Sequence, residues 1–242
     1  MNKVSNRINK TRALFSVLLF LAPISLLADT SVSLGVSLNG ARWSGDNGSG
    51  RSSFSSTEGG QFGLSANLKM DRFYAGISLQ GGEYSFNPGA PDQFTSSGAV
   101  AVSDTKVKHS DFDLLAGYYF WPQVSLFVDL KGAGSRWTNN NYEQNFGGLG
   151  IGVSAYQPLQ NDWLLFGTLG FVNGDVEETG SLVVGDGTSR ALTLGGVYSL
   201  EKNQHLNVGL RFRKYRFDFD DGNQQDYTLN GIFVGYTHIF SW

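Results

Sequence analysis

The sequence contains no cysteine among its 242 residues and has only five prolines. Without cysteine, a lipidated N-terminal thiol, a disulfide framework and thiol-based catalysis are all excluded. Charged residues are also few, at 16% of the chain, and acidic side chains outnumber basic ones by 21 to 18. An acidic surface repels a polyanion, so we expect no nucleic-acid partner.

Long apolar runs are scarce too, and the longest, Ala13–Leu27, predicts a cleaved signal peptide over residues 1–28. The charged residues that precede the run are all basic, and the small Ala28 follows it. A membrane anchor is the alternative, but the run contains Pro23 and is shorter than the roughly 20 residues that a bilayer requires. Cleavage would remove four basic residues and leave residues 29–242 as one domain with 14 basic and 21 acidic side chains, a net charge of −7.

Beyond the signal, apolar and polar residues alternate with a period of two, which is typical of strands. In the first segment Val32, Leu34, Val36 and Leu38 alternate with small polar residues. Nine further segments repeat the pattern, so we expect ten strands and no helix. They are residues 62–70, 73–81, 111–120, 124–132, 148–156, 163–171, 191–200, 205–212 and 231–240.

The connections between these strands alternate in length. Tight connections occupy residues 71–72, 121–123, 158–162 and 201–204, and long polar ones occupy residues 43–58, 86–105, 138–147, 173–188 and 218–226. This alternation predicts an all-β fold, an antiparallel up-and-down barrel with one long-loop rim and one tight-turn rim. Eight strands would result if two of the segments folded back into a loop.

The polar face of the strands indicates a transmembrane barrel rather than a soluble one. It consists mainly of small residues and includes Gly148, Gly150 and Gly152 in succession, whereas a water-exposed face usually has long charged side chains. Small polar residues suit a lumen, with the apolar face toward lipid. Aromatic residues near both rims predict two interfacial girdles. One would contain Phe73, Phe120, Trp121, Trp163, Tyr198, Phe240 and Trp242, and the other Trp43, Phe62, Trp137, Phe171 and Tyr227.

The chain ends in GYTHIFSW, which resembles the last strand of small bacterial outer-membrane β-barrel proteins of the OmpA and OmpX kind. Their last strands have a glycine, alternating aromatic residues and a terminal Phe or Trp. The resemblance implies location in the bacterial outer membrane and recognition by the barrel-assembly machinery, but no activity. The corresponding assembly-signal residues here are Gly235, Tyr236, His238, Phe240 and Trp242, with His238 where Tyr or Phe is commoner.

Residues for catalysis or cofactor binding are poorly supported by the sequence. His109, Ser110 and Asp111 are adjacent, but the period of two directs Ser110 toward lipid and the other two inward, so they cannot share a proton. We therefore expect no enzyme activity and no cofactor. Residues 218–226 are rich in oxygen ligands, but Asp221-Gly222 favours a hairpin turn over a calcium loop.

The lumen is predicted to contain opposite charges that face each other. The fourth and ninth strands of a ten-stranded barrel lie opposite, which brings arginines toward aspartates, and buried charges need partners. We expect a cross-lumen ionic plug, or alternatively the selectivity gate of a narrow pore. The cluster consists of Asp111, Asp113, Asp129, Lys131, Arg211 and Arg213.

A second set of charges faces outward at the long-loop ends, where basic side chains could contact lipopolysaccharide phosphates or simply snorkel. This set consists of Arg42, Lys106, Lys108, Lys214 and Arg216. The sequence favours a monomeric barrel with a structural or surface-interaction role through its long loops. A narrow porin-like channel for small solutes is the alternative, and a lipid-modifying enzyme is a distant third.

Overall fold

The computed structural model describes residues 30–48, 51–95, 98–140, 142–179 and 182–241. The predicted signal peptide, residues 1–28, lies outside these ranges. Within them, no helix is long and apolar enough to cross a membrane.

The described chain is all β, and ten strands close into one antiparallel barrel. Neighbours around the barrel are β1, β12, β11, β10, β9, β8, β7, β6, β3 and β2, and β2 returns to β1. A small hairpin of β4 and β5 lies within the connection from β3 to β6. The predicted fold and the count of ten barrel strands are therefore confirmed. The strands are β1 (Thr30–Asp46), β2 (Ser53–Met70), β3 (Phe73–Gly89), β4 (Gln93–Thr95), β5 (Gly98–Val100), β6 (Ser103–Trp121), β7 (Val124–Trp137), β8 (Glu143–Pro158), β9 (Trp163–Glu178), β10 (Leu182–Glu201), β11 (Gln204–Phe219) and β12 (Gln224–Ser241).

The barrel strands are 14 to 20 residues long, whereas about 9 to 11 residues suffice to cross a bilayer. The additional length comes from the segments predicted to be long loops. β1 continues to Asp46 and β2 begins at Ser53, and β9 ends at Glu178 only a few residues before β10. The prediction of long loops was wrong at these positions, because polar residues there still pair in register as strands.

The two faces of each strand exchange character part of the way along it. In β1, the outward Leu38 is 61% exposed, whereas five residues later the inward Trp43 is 1% exposed. β11 changes in the same way, from the exposed Leu210 to the buried Tyr215. Below the change, apolar side chains face lipid; above it, polar side chains face outward and aromatic ones fill the interior. The strands therefore leave the membrane at the change and continue as a barrel with an internal apolar core.

The core at the long-loop end, here called the aromatic core, explains why one predicted girdle was only partly correct. Trp43, Trp137 and Tyr227 point inward and are at most 2% exposed, so they do not contact the membrane interface. Phe62 and Phe171 do face outward and are partly exposed. The aromatic core also contains Phe54, Tyr84, Phe86, Phe94, Tyr142, Phe146, Tyr215, Phe217 and Phe219.

Inward glycines provide room for aromatic rings in the lumen. The Tyr84 ring lies over Gly59, and the Phe127 ring lies over Gly152 on the neighbouring strand. In each case the Cβ of any other residue would overlap the ring. An aromatic ring that covers a glycine on the adjacent strand is a recognised way of stabilising curved sheets.

Candidate functional site

Four charged side chains meet across the lumen, and we call them the ionic cluster. Asp111 and Asp113 lie on β6, Lys131 lies on the adjacent β7, and Arg213 lies on β11. Arg213 Nη1 is 2.5 Å from Asp111 Oδ2, and Lys131 Nζ donates a hydrogen bond of 2.6 Å to Asp113 Oδ1. Arg213 also lies 3.4 Å from Asp113, and Lys131 lies 3.4 Å from Asp111. Two cations and two carboxylates thus balance in a largely buried part of the lumen.

The strand register explains this meeting. A tight turn joins β6 to β7 and places Asp113 directly opposite Lys131. β11 is not bonded to either strand, so Arg213 reaches the cluster through the interior of the barrel. The side chains of Asp111, Lys131 and Arg213 are all at least nine-tenths buried. Removing one partner of such a buried pair typically costs about 3 to 5 kcal/mol.

Further polar groups extend the cluster toward the aromatic core. The Tyr215 hydroxyl donates a 2.5 Å hydrogen bond to Asp111 Oδ1. His109 lies with Nε2 3.2 Å from Asp111 Oδ2 and Nδ1 3.1 Å from Ser135 Oγ. The Trp43 ring packs edge-on against His109 with the ring centroids 5.2 Å apart. The ionic cluster and the aromatic core are therefore in direct contact inside the lumen.

Two residues predicted for the cluster are placed differently. Arg211 is inward, but it donates a 2.6 Å hydrogen bond to Gln80 Oε1 and lies over the Phe233 ring. Asp129 makes no ion pair within 4 Å in the described part of the chain, and its Oδ1 accepts no hydrogen bond. Arg211 lies closer to the tight-turn rim than Arg213, and Asp129 lies closer to it than Lys131. The carboxylates of Asp111 and Asp113 therefore meet Arg213 and Lys131 instead.

The five predicted outward basic residues all lie on the outer wall of the barrel, and acidic or hydroxyl groups accompany four of them. Lys106 lies 3.0 Å from Glu83, Lys214 3.9 Å from Asp226, and Arg216 3.4 Å from Asp218. Arg42 Nε donates a 2.8 Å hydrogen bond to Ser55 Oγ. Lys108 has no carboxylate within 4 Å among the described residues.

The hairpin of β4 and β5, here called the lid, crosses the long-loop mouth of the lumen. The Phe94 ring stacks on Phe219 at the end of β11, with the ring centroids 4.2 Å apart. The Tyr142 hydroxyl donates a 2.5 Å hydrogen bond to the Phe94 carbonyl, and Trp137 Nε1 donates to the carbonyl of Pro91. Burial raises the pKa of the Tyr142 hydroxyl above its ordinary value, so it remains a donor.

Polar contacts attach the lid to other hairpins. Arg51 Nε, from the β1–β2 turn, donates a 2.7 Å hydrogen bond to Asp92 Oδ2. The side-chain amides of Gln93 and Asn140 exchange two hydrogen bonds of 3.1 and 2.9 Å. The lid is therefore attached on two sides of the mouth.

At the opposite rim, the predicted assembly signal lies on β12. Tyr236, His238 and Phe240 share the outward face, and the His238 and Phe240 rings are 4.5 Å apart. Gly235 faces inward beside Ser37 of β1. Trp242 lies outside the described residues.

The adjacent residues His109, Ser110 and Asp111 do not share one face of β6. Ser110 is exposed on the outer wall, away from His109 and Asp111, as the period of two indicated. The serine that does contact His109 is Ser135, which sequence reasoning missed. Among the described residues, no group of three or more His, Cys, Asp and Glu side chains could hold a metal ion. Asp221 and Gly222 form a turn in which Asp221 Oδ1 accepts from the Asn223 amide.

Comparison with known proteins agrees with the fold. The sequence matches no family model, and it matches no curated protein. The structure is similar to that of the outer membrane protease OmpT from Escherichia coli, with a TM-score of 0.55 and 12% identity over 88% of this chain and 97% of that one. It is more loosely similar to Neisserial surface protein A, with a TM-score of 0.37 and 10% identity over 86% and 96% of the chains. For Ail of Yersinia pestis the TM-score is 0.36 and the identity is 12%, over 88% of this chain and 99% of that one. At this identity the likeness to OmpT shows the fold alone.

The chain is thus a β-barrel of the bacterial outer-membrane type. A closed barrel leaves no backbone group unpaired in lipid, and this one presents exposed leucine, valine, isoleucine and phenylalanine side chains on its outer face. The fold and the apolar belt together place the protein in the bacterial outer membrane.

Proposed function

We propose that this protein is a structural or surface-interaction component of the outer membrane, with a lumen that is closed to solutes. The observation that carries the proposal is the double filling of the lumen by the ionic cluster and the aromatic core. Trp43, Lys131 and Tyr215 are each at most 3% exposed. A continuous water path would require several of these packed side chains to move together.

The part of the barrel above the membrane is the surface proposed for interaction. Its outer wall is polar and its strands are paired almost to their ends, so side chains on it are held by a rigid scaffold. Polar surfaces on rigid scaffolds commonly bind partners. We propose that the barrel acts as a monomer, since each of its ten strands presents exposed apolar side chains to lipid.

We further propose that the protein has no catalytic role. His109 and Ser135 are in contact, but both are buried, and the Trp43 ring packs against His109. The carboxylate beside them, Asp111, is already engaged by Arg213 and Lys131. These contacts suit a filled interior better than a site that admits a substrate.

Single-channel recording of the purified barrel in a planar bilayer tests the closed lumen. We expect no discrete conductance steps from the wild-type protein. Arg211→Ala should be silent as well, because the ionic cluster and the aromatic core remain above Arg211. Regular steps from the wild-type protein, altered in size by Arg211→Ala, would instead support the narrow channel.

We also propose that the assembly machinery recognises the end of β12. Phe240→Ala should reduce the amount of folded barrel in the outer membrane several-fold, because the outward aromatic side chain of the signal is lost. Ser241→Ala, at the neighbouring position, is the matched control and should assemble normally. Cell fractionation followed by electrophoresis of unheated samples measures both. Equal loss in the two variants would contradict this assignment.

Outer-membrane lipids, including lipopolysaccharide, are the remaining proposed partners. Support comes from Lys108, an outward basic residue that lies just above the apolar belt and has no carboxylate within 4 Å among the described residues. Phosphate groups accept strong hydrogen bonds from Lys and Arg.

A further inference from the structure

A depression in the outer wall lies where β3, β6, β7 and β8 leave the membrane. It has a volume of 610 Å³, and the side-chain-free positions Gly81 and Gly134 form part of its floor. Lys108, Ser110 and Asn145 line it, and all three are exposed on the outward face. The depression therefore presents a cation, a hydroxyl and an amide toward a space large enough for a sugar phosphate.

Two cations, Lys108 and Arg136, and two carboxylates, Glu83 and Glu143, line this depression, and Lys106 beside it adds a third cation. Lys108 lies directly opposite Arg136 on β7 and directly opposite Glu83 on β3. Like charges in direct opposition destabilise a sheet. Each of the two carboxylates is engaged by another cation: Glu83 lies 3.0 Å from Lys106, and Glu143 lies 3.5 Å from Arg136. Lys108 remains without a carboxylate within 4 Å among the described residues.

Apolar side chains lie directly below the depression. Leu79 precedes Gly81 on the outward face of β3 and is 49% exposed, and Phe112 follows Ser110 on the outward face of β6, which runs the opposite way. A molecule that occupied the depression would thus have its lower part against the lipid-facing belt. A free anion would gain nothing from this apolar surface, whereas an amphiphile would.

We infer that this depression binds the phosphorylated sugar headgroup of lipopolysaccharide, with Lys108 on the phosphate and the acyl chains against Leu79 and Phe112. Ser110 and Asn145 provide further hydrogen-bonding groups for phosphate or sugar oxygens. The inference rests on the lipid contact proposed above and names one site for it. It is independent of whether the lumen conducts, so failure in the bilayer experiment and failure here are separate results.

Lys108→Gln and Lys106→Gln form a matched pair for the test. The two lysines lie two residues apart on the same face of β6, but the hydrogen bond from Lys106 to Glu83 raises the pKa of Lys106 and engages its charge. The purified barrels are incubated in detergent with lipopolysaccharide and washed, and the lipid retained per barrel is measured. Lys108→Gln should reduce retention about tenfold, and Lys106→Gln should retain nearly as much as the wild type.

Gly81→Leu tests the space without changing charge. A Cβ at Gly81 would lie 3.9 Å from the nearest atom, so the side chain fits and fills the depression. We expect the same loss of retention as for Lys108→Gln. Gly40→Leu is the control, since Gly40 is equally open on a different part of the wall. Electrophoresis of unheated samples verifies that each variant is folded, and the lysine pair decides the question if Gly81→Leu does not fold.

Four ligands separate the possible sources of the phosphate. Lipopolysaccharide should be retained, and dephosphorylated lipopolysaccharide should not. Millimolar inorganic phosphate should fail to displace the bound lipid. Equal retention by Lys108→Gln and Lys106→Gln, or equal retention of the dephosphorylated lipid, would overturn the inference. Retention of phosphatidylglycerol at the level of lipopolysaccharide would overturn the assignment to a glycolipid, and displacement by inorganic phosphate would overturn the assignment to a lipid.

Discussion

Asp111→Asn is expected to lower the free energy of unfolding of the barrel by about 3 kcal/mol or more. The asparagine preserves the shape of the side chain but removes the charge that Arg213 and Lys131 share. Asp113 alone then balances two buried cations. The hydrogen bond from the Tyr215 hydroxyl also loses its charged acceptor.

Urea unfolding in lipid vesicles, followed by the fluorescence of the buried Trp43 and Trp137, measures this loss. The control is Asp226→Asn on the outer wall, where Asp226 lies 3.9 Å from Lys214 and both side chains are exposed. An exposed pair of this kind contributes at most about 1 kcal/mol. The double variant Asp111→Asn/Arg213→Gln should lose less than the sum of its parts, since the partners no longer leave each other unpaired. Equal stability of Asp111→Asn and the control would show that the cluster does not stabilise the barrel.

Gly152→Val is expected to prevent folding or to destabilise the barrel by about 3 kcal/mol, the upper range for overpacked sites. A Cβ at this position would overlap the Phe127 ring and lie 2.5 Å from the carbonyl oxygen of Leu169. The ring could rotate away, but the carbonyl belongs to the paired backbone of β9 and cannot. The strain therefore falls on the hydrogen bonds that close the barrel.

Gly147→Val provides the comparison within the same strand. Gly147 faces outward, and a Cβ there would meet nothing within 4 Å. Valine is favoured in strands, so this variant should be as stable as the wild type or slightly more so. Electrophoresis of unheated samples shows whether each variant folds, and urea unfolding in vesicles measures the difference. If Gly152→Val and Gly147→Val fold equally well, inward glycines are not required for ring packing.

Much of the barrel and part of the ionic cluster could be predicted from the sequence, because a period of two assigns each residue to a face. The tight turn after β6 also sets the pairing of β6 with β7. Counting back from it places Lys131 opposite Asp113 and Ser135 opposite His109. The contact between His109 and Ser135 could therefore be predicted from the sequence. It does not appear when only residues adjacent in the chain are compared.

The height of each residue within the barrel could not be predicted in the same way. Arg211 and Arg213 are both inward on β11, and only the stagger between distant strands decides which of them meets Asp111. The aromatic core was missed for a different reason. Trp43 and Tyr227 each lie five residues from a lipid-facing residue, Leu38 and Ile232, so the period of two already directs them inward. Their aromatic character near the rim, which also suits a membrane interface, concealed this.

The exchange of faces also determines how deeply the protein sits in its membrane. If the barrel sank by two residues, the charged outer side chains Arg42 and Lys214 would enter hydrocarbon, and if it rose by two, Leu38 and Phe212 would move toward water. Burial of a basic side chain in a barrel wall costs about 2 to 4 kcal/mol at the midplane and progressively less toward the interface. Displacement in either direction is unfavourable at several strands at once, so the barrel has one preferred depth in the bilayer. A bilayer of different thickness must adapt to that depth.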